Sequence, residues 1–258
     1  MLDILLKLQW LERKPMMAFL LGLAFPTMGM IFGTLLFPEA PSFPAVFLTT
    51  LAAAPIMIRL LEHEKLDMRA EKFLMRNKNV TEAYLYMFFG MATIFALWFT
   101  IMPAEMSSWM FNEQLIHAFG ATGMFTFNMP MFATIIMNNM GLLFFFFLLA
   151  IFYGSGSIFL LTWNASVLGI MWGNAMRALW LGNSAAFAAG TLMPIPYMVP
   201  EVLAYFLAAI GGGIVAVHLH TQKKVLPVAM KDSIVLLGLS IVILIAAGII
   251  ETIILSGV

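Results

Sequence analysis

Residues 234–256 read IVLLGLSIVILIAAGIIETIILS, a run whose single charged side chain is Glu251. About 20 apolar residues in a helix cross a hydrocarbon core roughly 30 Å thick. Comparable runs recur along the chain, in which 62% of the 258 residues are hydrophobic and 10% are charged. A membrane-spanning helix satisfies its own backbone hydrogen bonds, so we expect an all-α protein. The architecture predicted is a polytopic transmembrane helical bundle of six to seven spans with interfacial or re-entrant segments.

Hydropathy and breaker residues divide the chain into spans and connecting segments. The chain reads as one integral membrane domain, with amino-terminal spans and a basic loop (61–82) in residues 1–134 and a core in 135–258. We expect two further segments, 104–136 and 178–199, to be interfacial or re-entrant, because glycine, proline and polar residues interrupt them. The predicted spans are 17–37, about 44–61, about 83–103, a fourth from near 135, a fifth around 158–176, a sixth starting at Pro200 and Glu201, and a seventh at about 234–256.

The distribution of lysine and arginine predicts the orientation, because these residues are retained in cytoplasmic loops. Twelve of the 13 fall in the amino-terminal lead, in the stretch from Arg59 to Lys78, or between Lys223 and Lys231; the exception is Arg177. Seven spans place these three segments on one side, so we expect a multi-pass protein of the cell membrane with a cytoplasmic amino terminus. The basic stretch suits an amphipathic surface helix on anionic lipid. A solvated loop or a docking site for a cytoplasmic protein fits it as well.

The apolar second half of the chain contains five polar residues, and an unsatisfied amide or carboxylate in hydrocarbon is energetically costly. We therefore take them as the candidate binding cluster. In the seven-span topology four of them lie toward the outer leaflet, where convergence is geometrically possible, whereas Asn164 lies deeper toward the cytoplasm. Adjacent helical residues point about 100° apart, so at most one of the two neighbouring asparagines can face such a cluster while the other ties helices together. The five residues are Asn138, Asn139, Asn164, Glu201 and Glu251.

Each of these residues also has a structural interpretation. Glu201 follows Pro200 at the predicted amino-terminal end of a helix, where a carboxylate stabilises the free amides and the helix dipole. Glu251 is close enough to the predicted end of its span to reach water. Asn164 suits an interhelical hydrogen bond beside small residues such as Gly169, and Gly211, a small residue of the sixth span, is taken as structural.

From about residue 135 onward the order of features resembles the stage II sporulation protein M family, also known as DUF95. The shared features are Asn138-Asn139 after an aliphatic run, a glycine-rich turn, Asn164 followed by Gly169, Pro200-Glu201, a small-residue helix with Gly211 to Gly213, and a terminal helix with Ala246, Ala247 and Glu251. In the family pattern a His-Gly pair stands shortly before the glutamate of the sixth span. This chain has Tyr197 and Met198 there. The resemblance implies a multi-pass architecture and, in the sporulation member, a complex that recruits other proteins.

These patterns lead to two functional hypotheses. The first is a non-enzymatic scaffold or assembly partner of the sporulation protein M type, in contact with membrane lipids and forming a homo-oligomer or binding other membrane proteins. The alternative is a transporter or lipid-handling protein whose Glu201, Glu251 and Asn138 bind a proton, cation or headgroup, since carboxylate and carbonyl oxygens suit hard ions.

Composition and missing motifs argue against catalysis and against bound cofactors. The chain has no cysteine, no HExxH zinc motif, no Gly-x-Ser-x-Gly elbow and no aspartate in a predicted span, Asp232 being assigned to a loop. Its formal net charge of zero does not suggest a nucleic-acid partner. We therefore expect no enzymatic activity, no cofactor, no metal and no nucleic acid.

Overall fold

The fold consists of α-helices throughout the part of the chain that the structure describes. The structure is a computed structural model that describes residue 14 and residues 16–63, 78–119, 129–153, 156–221 and 226–255. These residues contain no β-strand, which confirms the all-α class. The helices are α1 (Met17–Leu36), α2 (Ser42–His63), α3 (Lys78–Ile101), α4 (Ala104–Met110), α5 (Asn112–Phe119), α6 (Met129–Tyr153), α7 (Gly156–Trp180), α8 (Ser184–Thr191), α9 (Ile195–Thr221) and α10 (Leu226–Leu255).

Seven segments of these described ranges are long and apolar enough to cross a membrane. They lie in α1, α2, α3, α6, α7, α8 joined to α9, and α10, so the described residues contain seven candidate spans, within the six to seven that were predicted. Helices α4 and α5 have seven and eight residues. At 1.5 Å per residue each reaches only about 11–12 Å, too short to cross.

Three helices begin earlier than the sequence predicted. Helix α6 begins at Met129 rather than near 135, α9 at Ile195 rather than at Pro200, and α10 at Leu226 rather than near 234. Before α6 and α9 the prolines were expected to interrupt the helix, but the first turn of a helix accepts proline because its N–H has no intrahelical partner there. Before α10 the charges of Lys231 and Asp232 were expected to mark a loop. Asp232, assigned to a loop by its charge, is a buried residue of α10.

The basic loop predicted at 61–82 is only partly described. Residues 61–63 end α2 and residues 78–82 begin α3, so the ends of this stretch belong to the flanking helices. Residues 64–77 lie outside the described residues, as do the lead 1–13 and the turn residues 154–155. The amphipathic surface helix therefore stays a prediction.

The helices pack in two groups. In the first, α3 lies against α1 and α7, and α1 pairs with α2; in the second, α9 lies against α6 and α10. A methyl group added at Gly169 of α7 would lie 2.6 Å from the Phe95 Cβ of α3, so the backbones of these helices approach closely. The Phe206 ring of α9 meets the Phe88 ring of α3 edge-on at 5.1 Å and joins the two groups. The polar cluster belongs to the second group.

Candidate functional site

The candidate site is a pair of carboxyl groups at the contact of α6, α9 and α10. The carboxyl groups of Glu201 on α9 and Glu251 on α10 lie within hydrogen-bonding reach of each other. The Asn139 Nδ2 atom of α6 donates a hydrogen bond to Glu201 Oε1 at 2.7 Å. All three residues are half-buried. The structure thus brings together three of the five candidate residues, one from each helix.

The crossing of α6 and α9 explains why Asn139 meets Glu201. A methyl group added at Gly212 would overlap the Phe147 carbonyl oxygen and lie 2.7 Å from the Ala150 Cβ, so these helices touch there. Glu201 stands eleven residues before Gly212, and Asn139 stands eleven residues before Ala150. Eleven residues are about three turns of an α-helix, so both side chains return to the contacting faces at the same level.

Two tyrosines of α9 flank the pair. Tyr197 and Tyr205 stand one turn before and one turn after Glu201, and both are close enough to interact with the charges of the two glutamates. The Tyr205 ring stacks on Phe146 of α6, with centroids 5.0 Å apart and planes 4° from parallel. Sequence reasoning did not assign either tyrosine to the site, although the four-residue spacing from Glu201 was the available signal.

Charge balance is the chemical property that sets this site apart. The described residues contribute no basic side chain to the electrostatic environment of Glu201, in which the charge of Glu251 and the hydrogen bond from Asn139 act. Glu251 Oε2 is buried and has no hydrogen-bond partner within the described ranges. Two ionised carboxylates in contact repel strongly where water is scarce. The pair can therefore hold one proton between its oxygens or place them around a small cation.

Glu201 does not cap a helix, contrary to one prediction. Helix α9 begins at Ile195, so Glu201 is its seventh residue and Pro200 lies inside the helix. The terminal amides that a cap would satisfy are more than a turn away. Proline at 200 has no N–H to give to the carbonyl of Pro196, which leaves α9 one backbone hydrogen bond short beside the site.

The asparagine pair lies deeper in the span than predicted. Asn138 and Asn139 were expected to open the fourth span, but the apolar segment of α6 starts at Pro130. At 1.5 Å per residue Asn139 is about 14 Å further along, near the middle of a core roughly 30 Å thick. Glu251 lies four residues before the end of α10 at Leu255. The cluster extends from that end of α10 toward the middle of α6.

The other two candidate residues lie outside the cluster. Asn138 is exposed on α6, so the alternative hypothesis named the wrong neighbour: Asn139 is the one that reaches Glu201. Asn138 also ties no helices together, because no hydrogen bond joins it to another described residue. Asn164 Nδ2 donates to the Leu160 carbonyl oxygen of its own helix at 2.8 Å, instead of making the predicted interhelical bond. At Gly211 of α9 an added methyl would lie 3.3 Å from the Leu236 Cβ of α10.

A second polar centre surrounds Arg177 near the end of α7. Its Nη1 donates to Ser107 Oγ at 2.9 Å, its Nε to the Thr100 carbonyl oxygen at 3.3 Å, and its Nη2 to the Met102 carbonyl oxygen. Its guanidinium carbon lies 4.6 Å from the centre of the Phe99 ring. The Thr100 carbonyl lies in the last turn of α3 and the Met102 carbonyl directly follows that helix, so Arg177 satisfies groups that have no partner within α3. The sequence marked this arginine only as an exception to the charge distribution.

The described residues also contain an apolar cavity and a buried histidine, both relevant to ligand binding. An apolar cavity of about 210 Å³ lies between α3, α7 and α9, where its lining includes Trp172, Met198 and Val202. No group of three or more histidine, aspartate or glutamate side chains within the described ranges could hold a metal ion. The buried His218 places its Nδ1 2.8 Å from the Ile214 carbonyl oxygen one turn earlier on α9.

The described residues form an all-helical, multi-pass membrane protein with seven candidate spans and a carboxyl pair inside its bundle. Residues 84–254 match the family described as stage II sporulation protein M (SpoIIM), and the chain belongs to that family. The matched region includes the third span as well as the segment after residue 135 that carried the resemblance. Comparison with curated proteins and with solved structures finds no match.

Proposed function

We propose that this SpoIIM-family membrane protein binds one proton or one small cation between Glu201 and Glu251, and that this binding serves transport or ion-coupled conformational change. The observation that carries the proposal is the contact between the two carboxyl groups, one of which keeps a buried oxygen without a hydrogen-bond partner among the described residues. Carboxylate and amide oxygens are the ligands that hard cations prefer.

The neighbouring residues support a binding role. Asn139 uses its Nδ2 on Glu201, which orients one carboxyl group and leaves the amide oxygen of Asn139 as a further acceptor. Pro200 frees the Pro196 carbonyl one turn before the site. Broken or under-bonded helices beside an ion site are a feature of membrane transporters.

Binding can be tested with Glu201→Gln and Glu251→Gln in purified protein reconstituted into liposomes, using Na⁺, Li⁺ and protons as the probes. Glutamine keeps the shape of the side chain and removes its charge. Glu105→Gln is the matched control, because Glu105 is exposed on α4, which is not a spanning helix. A cation at one hundred times its dissociation constant stabilises the protein it binds by about 2.7 kcal/mol.

If the pair binds a cation, we expect Na⁺ or Li⁺ to raise the thermal unfolding temperature. If it binds a proton, we expect no effect of these cations and an infrared band of a protonated carboxyl group. Either signal should be lost in both glutamine variants and kept in Glu105→Gln. Neither signal in the unsubstituted protein, or the same signal in all three variants, would contradict the proposal.

We also propose that the protein acts without enzymatic turnover. The chain contains neither a cysteine nor the zinc-protease or serine-hydrolase motifs. Within the described ranges the carboxyl pair has an amide and tyrosines beside it but no nucleophile with an adjacent base, the arrangement that covalent catalysis needs. Hydrolysis of a lipid or peptide substrate that disappears in Glu201→Gln would overturn this proposal.

An assembly role, as scaffold or partner of other membrane proteins, is the second candidate function. It is supported by the exposure of α6: 17% of the residues in an apolar stretch of its span are buried, against 61% for the span that ends in α9. A spanning helix with so few internal neighbours has a wide face available for another protein. This role does not depend on the carboxyl pair, so partner binding should survive Glu201→Gln and Glu251→Gln.

A lipid-handling role is supported by the apolar cavity beside α9. Its volume of about 210 Å³ and its apolar lining suit part of an acyl chain, and Met198 and Val202 adjoin Tyr197 and Glu201 in sequence. Val202→Trp would fill the cavity, so loss of a co-purifying lipid in this variant would favour the role. Equal lipid content in Val202→Trp and in the unsubstituted protein would count against it.

We propose that the amino terminus is cytoplasmic, because twelve of the 13 lysines and arginines fall in three segments that seven spans place on one side. The chain has no cysteine, so single cysteines report accessibility without background. Glu105→Cys should react with an impermeant maleimide from outside the cell. If Glu105→Cys is labelled only after the membrane is opened, the amino terminus lies outside the cell and the proposed orientation is wrong.

A further inference from the structure

The lipid-facing side of α6 has a regular seam of residues. The members recur at alternating spacings of four and three, and all are exposed: Thr134, Asn138, Gly141, Phe145, Leu148 and Phe152. A spacing of four followed by a spacing of three makes a seven-residue repeat, by which two helices pack along each other as a left-handed coiled coil. The internal face of α6, which includes the buried Leu143 and Phe146, points elsewhere, so the seam is free to meet another helix.

Asn138 is the residue that makes this face unsuited to lipid. It lies eight residues after Pro130, about 12 Å into the span and close to the middle of the hydrocarbon. The structure shows no hydrogen bond from its amide to any other described residue. An exposed amide at this depth is unfavourable, because lipid tails offer neither donors nor acceptors.

A second copy of the chain supplies what the amide lacks. An amide carries both donors and an acceptor, so two asparagines facing each other across a two-fold axis can each donate to the other. Two copies inserted in the same orientation have parallel α6 helices related by an axis along the membrane normal, which brings the two Asn138 residues to one level. A single asparagine in such a seam is known to select a dimer and its register.

Gly141 allows the backbones to approach. It stands one turn after Asn138, and a methyl group added there would meet nothing within 4 Å in the described part of the protein. Small residues at this position in a seam let two membrane helices come close enough for their side chains to hydrogen-bond.

We infer that the Asn138 face of α6 is a dimerisation surface, on which a second copy of this chain docks in parallel with Asn138 opposite Asn138. The inference rests on the assembly proposal above, for which it names the partner, and it is independent of ion binding at the carboxyl pair.

Disulfide cross-linking of the full chain in membranes tests the surface, because the protein has no cysteine of its own. Gly141→Cys places a thiol on the seam. Gly238→Cys is the matched control, since Gly238 is an exposed glycine of the spanning helix α10 and also has nothing within 4 Å. We expect a cross-linked dimer from Gly141→Cys and monomer from Gly238→Cys under the same oxidant.

Substitution of the amide is the second measurement. Asn138→Leu should weaken dimerisation of purified protein in liposomes roughly tenfold, since interhelical hydrogen bonds between polar side chains stabilise membrane helix pairs by 1–2 kcal/mol in peptides. Met137→Leu, a conservative apolar change at the neighbouring exposed residue, should leave dimerisation unchanged.

Three outcomes would overturn the inference. Equal cross-linking at positions 141 and 238 would show random collision, and an unchanged dimer in Asn138→Leu would place the interface elsewhere. Purified protein that stays monomeric while Gly141→Cys cross-links to a different protein in native membranes would exclude the second copy and keep the assembly proposal. A protein that is monomeric both after purification and in native membranes would contradict the dimerisation inference and the assembly proposal.

Discussion

The Arg177 centre and the Glu201–Glu251 pair are both polar groups within spanning helices, but they are satisfied differently. Arg177 donates to two backbone carbonyls and a serine hydroxyl and lies over an aromatic ring. The glutamates face each other, with one hydrogen bond from Asn139 and one buried oxygen lacking a hydrogen-bond partner in the described ranges. Polarity within a span is therefore not by itself a sign of function. A polar group whose partners come from the fold is structural, and one that needs a proton or ion to complete it is a candidate binding site.

The largest effect should come from breaking the Arg177 centre with Arg177→Met. The change keeps an unbranched side chain and removes the donors that satisfy the end of α3. Each hydrogen bond to a charged group contributes about 1.5–3 kcal/mol, so we expect a loss of roughly 2–4 kcal/mol in the free energy of unfolding. Unfolding in mixed micelles, followed by circular dichroism, measures it.

Arg177→Lys is the control for that loss. Lysine restores the charge without the planar fork, and should recover only part of the stability. If Arg177→Met unfolds at the same detergent concentration as the unsubstituted protein, the Arg177 centre does not stabilise the fold.

A somewhat smaller effect should follow Gly212→Ala, which separates the helices that position the carboxyl pair. The added methyl would overlap the Phe147 carbonyl oxygen. Overpacking of this kind destabilises by about 1–3 kcal/mol, and here it should also move Asn139 away from Glu201. The same unfolding assay, with the cation thermal shift as a second readout, measures both effects.

Gly238→Ala is the control for this change, because nothing lies within 4 Å of an added methyl at Gly238. It should be neutral or slightly stabilising through helix propensity. Equal unfolding of Gly212→Ala and Gly238→Ala would show that the crossing of α6 and α9 has room for a side chain.

Asn139→Ala should have a modest effect on stability, because one hydrogen bond to Glu201 is lost. Hydrogen bonds between membrane helices contribute about 0.6 kcal/mol on average and up to about 1.7 kcal/mol. The neighbouring Asn138→Ala is the matched variant, and in monomeric protein its unfolding should be unchanged. A larger loss from Asn138→Ala than from Asn139→Ala would reverse the roles assigned to the two asparagines.

The smallest change in stability should come from Glu201→Gln. This result distinguishes most clearly between a binding role and a structural role of the carboxyl pair. Removing one carboxylate from a like-charged pair relieves repulsion and keeps an acceptor for Asn139, so the free energy of unfolding should stay within about 1 kcal/mol of the unsubstituted protein or rise. The dependence of unfolding on cation should disappear in the same experiment. A loss of several kcal/mol with the cation dependence intact would make the pair structural, like Arg177.

Much of the fold could be predicted, because the length of an apolar run and the hydrocarbon thickness together constrain the number of spans. Helix starts were predicted less well: Lys231 and Asp232 look like a loop, yet α10 begins before them. Hydropathy detects where residues leave the hydrocarbon, while a helix ends only where its backbone hydrogen bonds stop. The prediction of Glu201 as a cap failed for the same reason.

The amino-acid sequence alone was enough to identify a multi-pass helical membrane protein of the SpoIIM family and to place Asn138, Asn139, Asn164, Glu201 and Glu251 in its spans, although it misplaced Asp232 in a loop. It could not decide that Asn139 rather than Asn138 reaches Glu201, or that Glu201 meets Glu251, fifty residues further along the chain. Those choices depend on the rotation of each helix and on close crossings such as the one at Gly212. Hydropathy depends on the composition of a span, whereas contact depends on which face of the helix points at which neighbour, so only the tertiary structure placed the two carboxyl groups together.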